Sequence, residues 1–358
     1  METGAGHCSR RPFGYARRRS RIRFFSRPMT ALSVAVALAV AVVVGAWADG
    51  SRSYGEWHRY GEWHQGAALG IFVGSGPDAL VRVDSFGRWL GRPVTVGHTY
   101  LPGDTWSGIE GPEGLIRPWA RWRRADPARM LVINVPMAAP NEAGMPDAMV
   151  ASFLRGGASG SYDRHYRVLA ERLVAEGAQD AILVLGWEMN GAFYSGRCGP
   201  DPEAWKAYWR RIVAAMRGVQ GARFRFDFTF TRGRDAVPWA HCYPGDDVVD
   251  IIGSDSYDQP KGATFEQHVR EPFGLQEHAE FATRHGKPMS FPEWGLFRNS
   301  DNPDYIRGMH KWISAHNVLY QTITDYCPHG IWRCGANPRS AAAYRELFGA
   351  NPARSAGS

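Results

Sequence analysis

Short apolar runs alternate with longer amphipathic stretches along most of this chain. From Leu69 onward the runs Gly70–Gly74, Pro93–Tyr100, Met130–Pro136, Ala181–Trp187, Phe224–Phe230, Val248–Ser254, Pro288–Phe291 and Val318–Thr324 each have the length and bounding residues of a buried strand. Between them Tyr162–Glu176, Pro202–Arg217 and Phe265–His285 read as helices. Asp201-Pro202 and Thr264 mark two helix starts, with a capping side chain or a Pro in the first turn. Eight strands, each followed by a helix, predict an α/β fold, a (β/α)8 TIM barrel in a single domain over residues 67–350. An open doubly wound sheet shares the alternation, but no Gly-x-Gly-x-x-Gly opens after the first run, which weakens a nucleotide-binding version.

One strand is patterned more sharply than the rest. Phe224, Phe226, Phe228 and Phe230 alternate with Arg225, Asp227 and Thr229. A period of two puts the Phe face against the helices and points Arg225 and Asp227 into the barrel, where buried charges need partners. The Trp residues of helical segments, Trp205, Trp209 and Trp312, are expected in the core.

Composition changes this picture at the N-terminus. The formal charge of +7 is concentrated there: residues 1–30 hold eight Arg and one acidic residue, leaving 34 basic and 34 acidic side chains elsewhere. The remainder carries no basic stripe for nucleic acid. Behind that basic stretch, Ala31–Ala46 is almost wholly apolar and Ala46-Trp47-Ala48 offers a small-x-small cleavage site. This is the order of a secretory signal peptide over residues 1–48, and it predicts a secreted protein. An uncleaved anchor is the rival, which would tether the domain outside a membrane. Residues 49–66, with the near repeat Tyr54-Gly-Glu-Trp-His58 and Tyr60-Gly-Glu-Trp-His64, read as a linker or lead-in, and residues 351–358 as a disordered tail. Cys198, Cys242, Cys327 and Cys334 follow the leader; an even number in an exported protein suggests two disulfides out of three possible pairings. Cys327 and Cys334 close a short loop, which leaves Cys198 with Cys242.

Candidate chemistry lies in Trp187-Glu188-Met189-Asn190-Gly191 and Phe291-Pro292-Glu293-Trp294-Gly295. Each sets one Glu where an apolar run enters a loop. Two carboxylates at the mouths of barrel strands can act as acid and nucleophile on a sugar acetal. Neither metal-ligand spacing nor a Gly-x-Ser-x-Gly elbow is present, so no metal and no cofactor is expected.

These two motifs, with Gly253-Ser-Asp-Ser-Tyr-Asp258, resemble those of glycoside hydrolase family 26, the β-mannanase family within a large clan of (β/α)8 retaining glycosidases. The resemblance implies Glu188 at the fourth strand as acid/base, Glu293 at the seventh as nucleophile, and Tyr257 as a hydrogen-bond donor to that nucleophile. It implies an enzyme on a β-1,4-mannan, with mixed-linkage β-glucan or β-xylan as alternative substrates; endo action and a monomer are expected, and a non-catalytic polysaccharide-binding barrel is the competing reading. Two positions depart from the family pattern: Trp187 stands where a His usually precedes the acid, and Tyr326 closes the eighth strand where an aromatic platform, usually Trp, is expected. Sugar rings stack on aromatic faces while polar groups read their hydroxyls. Trp106, Trp187, Tyr194, Trp294 and Tyr326 are thus candidate cleft aromatics, and His98 and Asn190 candidate donors.

Overall fold

The computed structural model describes residues 66–350, all within one compact unit, Trp63–Ser358. The leader, most of the lead-in with its near repeat, and the tail lie outside the described residues. Eight parallel strands close into a barrel in sequence order: β1 (Ala68–Phe72), β2 (Val96–Tyr100), β3 (Met130–Val135), β4 (Ile182–Leu185), β5 (Arg225–Thr231), β6 (Ile251–Tyr257), β7 (Met289–Gly295) and β8 (Val318–Thr324). Pairing of β1 with β8 completes the circle and excludes an open sheet. Ten helices are interleaved: α1 (Ala79–Leu90), α2 (Trp106–Ile109), α3 (Glu113–Arg124), α4 (Asp147–Ala158), α5 (Asp163–Ala175), α6 (Pro202–Arg217), α7 (Phe265–Arg270), α8 (Leu275–Arg284), α9 (Pro303–Ala315) and α10 (Pro338–Phe348).

α6 shows why the alternation folds this way. Asp201 caps it by accepting from the Ala204 amide, and Pro202 opens the first turn. Its stripe of Trp205, Tyr208, Trp209, Ile212, Val213 and Met216 is buried at helical spacing. Trp205 meets Phe228 and Trp209 meets Phe226 edge to face, while Phe230 stacks flat on Trp239 at 4.1 Å. The outward Phe face of β5 is therefore the seam between sheet and helix layer. Trp312, expected in the core beside Trp205 and Trp209, is only partly buried against it.

The other face of β5 points inward. Asp227 is fully buried and accepts from Ser290 Oγ (2.6 Å), Tyr320 Oη (2.7 Å) and Thr229 Oγ1 (2.9 Å). Burial nevertheless pushes its carboxyl up to about 6. A Cβ on Gly253 would stand 2.4 Å from Thr229 Oγ1 and 2.5 Å from Asp227 Oδ1, so only glycine leaves room for this cluster.

The single helix expected over Phe265–His285 is two. Thr264 and Gln267 form a capping box at the start of α7, but Pro272 interrupts the ladder and Phe273 takes a left-handed φ of 62° before α8 begins. Both disulfides are formed, Cys198–Cys242 joining the loops after β4 and β5, and Cys327–Cys334 closing the loop after β8.

Candidate active site

Glu188 and Glu293 emerge at the carboxyl ends of β4 and β7, both partly buried. Their supports differ. Glu188 lies on a sharp exit turn: Gly186 and Glu188 both hold left-handed backbone, with φ of 57° and 51°. For a non-glycine residue that conformation is uncommon and costs of order 1–2 kcal/mol. Three bonds hold it against β5: the Glu188 amide donates to Thr229 O at 3.0 Å, and the Asn190 side chain replaces a peptide unit, accepting from Thr231 N (2.9 Å) and donating to Thr231 O (3.1 Å). Asn190 is fully buried with both amide groups engaged, so it positions the turn and offers nothing to a ligand.

Glu293 sits where the register of β7 slips against both neighbours. The slip frees its amide to donate to Asp255 Oδ1 at 3.0 Å. Tyr257 donates to Oε2 at 2.6 Å while its own oxygen faces Thr324 Oγ1 at 2.9 Å. Tyr100, from the end of β2, donates to Oε1. Burial raises the Glu293 carboxyl and the two phenols pull it back down. Glu188 is raised far above the carboxylate range, first by burial and then by the charge of Glu293. Glu293, with two phenol donors, is the one of the pair favoured to ionise.

A cavity of about 520 Å³ opens beside Glu188 on the β4–β6 side. Phe193, Tyr194, Thr231, Asp235 and Gln259 line it. Trp187 is buried, meets Tyr100 edge-on at 5.4 Å and donates its indole N–H to Tyr194 Oη at 3.0 Å. It thus connects the tyrosine on Glu293 with the one in the cavity. Tyr326 is half-exposed at the rim, edge-on to His329. Its loop is shaped by Asp325, whose carboxylate accepts from the amides of Ile331, Trp332 and Arg333 at 2.8–3.1 Å.

Three expected ligand contacts lie elsewhere. Trp294 is fully buried on the outer face of β7, its indole donating to Gln321 Oε1 at 2.6 Å and its ring packed near Tyr344 and Phe348. Alternation along β7 forces this, since Glu293 takes the inner face. Trp106 opens α2 and stacks on His165 at 4.4 Å and Tyr162 at 4.8 Å, within an aromatic pile between helices. His98 points into the barrel one step below Tyr100; it is fully buried, bonded to Asn134 Oδ1 at 2.8 Å and held neutral by burial, its pKa pushed down to about 4. Tyr100 and Asp255 are the contacts to Glu293 that motif reading passes over. Tyr100 shares the inward parity of His98 and Asp255 that of Tyr257, so strand alternation was the signal for both.

A closed parallel barrel with two glutamates at its carboxyl face is an arrangement that glycoside hydrolases use. The family model described as glycosyl hydrolase family 26 matches residues 171–291, which span β4 to β7 and the first glutamate motif. This match covers less than half of the chain and stops short of Glu293, and over that stretch it bears out the resemblance read from the motifs. Solved structures share the fold at low identity. A Bacillus subtilis mannanase is 15% identical with a TM-score of 0.59, over 79% of this chain and 86% of that one. The catalytic domain of a Bacillus sp. JAMB-750 endo-β-1,4-mannanase is 15% identical with a TM-score of 0.55, over 82% and 89%. The GH26A structure of Muricauda sp. MAR_2010_75 is 12% identical with a TM-score of 0.55, over 86% and 97%. Among curated proteins none matches the chain.

Proposed function

We propose that this glycoside hydrolase is an exported, retaining, endo-acting β-1,4-mannanase. The observation that carries the mechanism is the asymmetry of the two carboxyls: Glu293 receives two phenol donors, whereas Glu188 is raised by burial and by its partner's charge. Glu293 attacks the anomeric carbon as Glu188 gives its proton to the departing glycosidic oxygen. A water then enters, Glu188 takes one of its protons, and the hydroxyl displaces Glu293 from the sugar. Retention requires the two carboxyls to lie about 5–5.5 Å apart in the working enzyme. Mannan is favoured by the resemblance to glycosyl hydrolase family 26 and by the mannanases among the similar folds. Trp187, in place of the family's usual His, favours a second reading in which the same chemistry acts on a mixed-linkage β-glucan or β-xylan. Export is supported by the leader pattern and by two disulfides, which persist in oxidising compartments.

The test is release of reducing ends from β-mannan, mixed-linkage β-glucan, β-xylan and cellulose, with Glu293→Ala beside the wild type. Release from mannan alone, with at least a 10³-fold loss in the variant, is the expected result. Equal release by both proteins would remove Glu293 from the mechanism, and preference for another polymer would replace mannan as the substrate.

A further inference from the structure

Arg232 follows the last residue of β5 and is buried, 8% exposed, although it touches neither glutamate. Its guanidinium forks into the exit of β6. Nε donates to Ser256 Oγ at 2.9 Å, and Nη2 to the carbonyls of Tyr257 (2.7 Å) and Gln259 (3.0 Å). Glu271, from the break between α7 and α8, supplies the counter-charge. The Arg232 amide donates to Asp255 O at 3.0 Å, and Tyr305 Oη bonds Ser256 O from the other side at 2.7 Å. One side chain therefore pins the main chain from Ser256 to Gln259, just past the point where the β6–β7 register slips. From that segment hang Tyr257, the donor to Glu293 Oε2, and Gln259, which lines the cavity beside Glu188.

We propose that Arg232 is a positioning residue for the nucleophile, acting through Tyr257. The inference rests on the reading of Glu293 as nucleophile. Burial of a guanidinium is costly, and a buried ion pair is poor evidence for stability alone. What the site demands is a rigid planar donor that reaches a hydroxyl, two carbonyls and a carboxylate in diverging directions, which Arg provides and Lys does not. With the fork gone, the β6 exit relaxes and the Tyr257 hydroxyl loses its aim. Glu293 is then less stabilised as an anion, and the pH at which it ionises rises.

The experiment is a double-mutant cycle of wild type, Arg232→Lys, Tyr257→Phe and the pair, on the polymer the full chain cleaves. Arg232→Lys keeps a cation opposite Glu271, and the fold is expected to be retained. It is expected to lower kcat roughly 10–100-fold with KM within about threefold, and to move the acid limb of kcat/KM to higher pH, as Tyr257→Phe does. In the Tyr257→Phe background it should add little. Equal losses in both backgrounds, or an unmoved acid limb, would overturn the proposal while leaving the nucleophile in place. Turnover that survives Glu293→Ala would overturn both. Should Arg232→Lys fail to fold by near-ultraviolet dichroism, the neutral pair Arg232→Gln/Glu271→Gln takes its place in the cycle, with the same outcomes.

Discussion

Single residues decide which carboxyl does what. Tyr257 and Tyr100 each donate to one oxygen of Glu293, and each bond favours the anion. Removing either phenol should therefore raise the pH below which activity is lost. Kinetics of Tyr257→Phe and Tyr100→Phe across pH are expected to show the acid limb of kcat/KM displaced upward, by 0.5–1.5 pH units as an order of magnitude. An acid limb that stays put in both would mean that the phenols do not contact the ionising group. On the proposed mechanism the basic limb is that of Glu188 and should lie above the range of a free carboxyl, because its proton is held by burial and by the charge of Glu293. Much of this was legible in the motifs: both glutamates and Tyr257 stand out by their place at the end of an apolar run. Trp294 misleads for the opposite reason. It is adjacent to Glu293 in sequence, but adjacency in a strand means opposite faces, and the indole ends in the core against Gln321. Asn190 was legible as important and illegible as to why, since its partner is the backbone of Thr231, 41 residues away.

At the scale of elements, hydrophobic period was enough to place all eight strands and the helices α5 and α6, as β5 and α6 illustrate. It does not reveal the break after α7, where Glu271 turns extended ahead of Pro272 and Phe273 is left-handed, although apolar residues continue on both sides. Nor does it reveal the register slip of β7, which depends on how Asp255 competes for the Glu293 amide. The loops after β4 and β5 carry the cavity and are joined by Cys198–Cys242, a closure of 44 residues. Loop-closure entropy for that length is about 4 kcal/mol. Replacing both cysteines by Ala is expected to lower stability by about 2–4 kcal/mol in denaturant titration and to raise KM more than it lowers kcat, as the loops beside Glu188 loosen. Unchanged KM would detach the bridge from the site.

For the molecule as a whole, buried titratable groups, in the barrel and under the helix layer, contribute to the response to pH. His98 and His278 are fully buried and neutral, each pushed down to about 4 by desolvation. Unfolded, they take up protons near 6.5, so the unfolded state binds more protons between about 6.5 and 4 and stability falls as pH falls through that window. Asp227 works the other way: raised to about 6, it binds a proton more readily folded than unfolded, and its cost is relieved as pH drops through 6 toward 3.8. The raised carboxyls of Glu188, Glu293, Asp255 and Asp325 act in the same sense as Asp227, so the contributions are separated one group at a time. In thermal scans from pH 7 to 4.5, Asp227→Asn should steepen the loss of Tm and His278→Gln should reduce it. The same slope in all three proteins would show that other groups govern acid stability. The backbone of Glu188 carries a longer consequence. At φ 51° a glycine is more comfortable than a glutamate, so the chain would gain stability by discarding its own acid. Drift in a barrel that only bound polysaccharide would run downhill toward that exchange. On the proposed mechanism, holding a glutamate there trades backbone comfort for turnover.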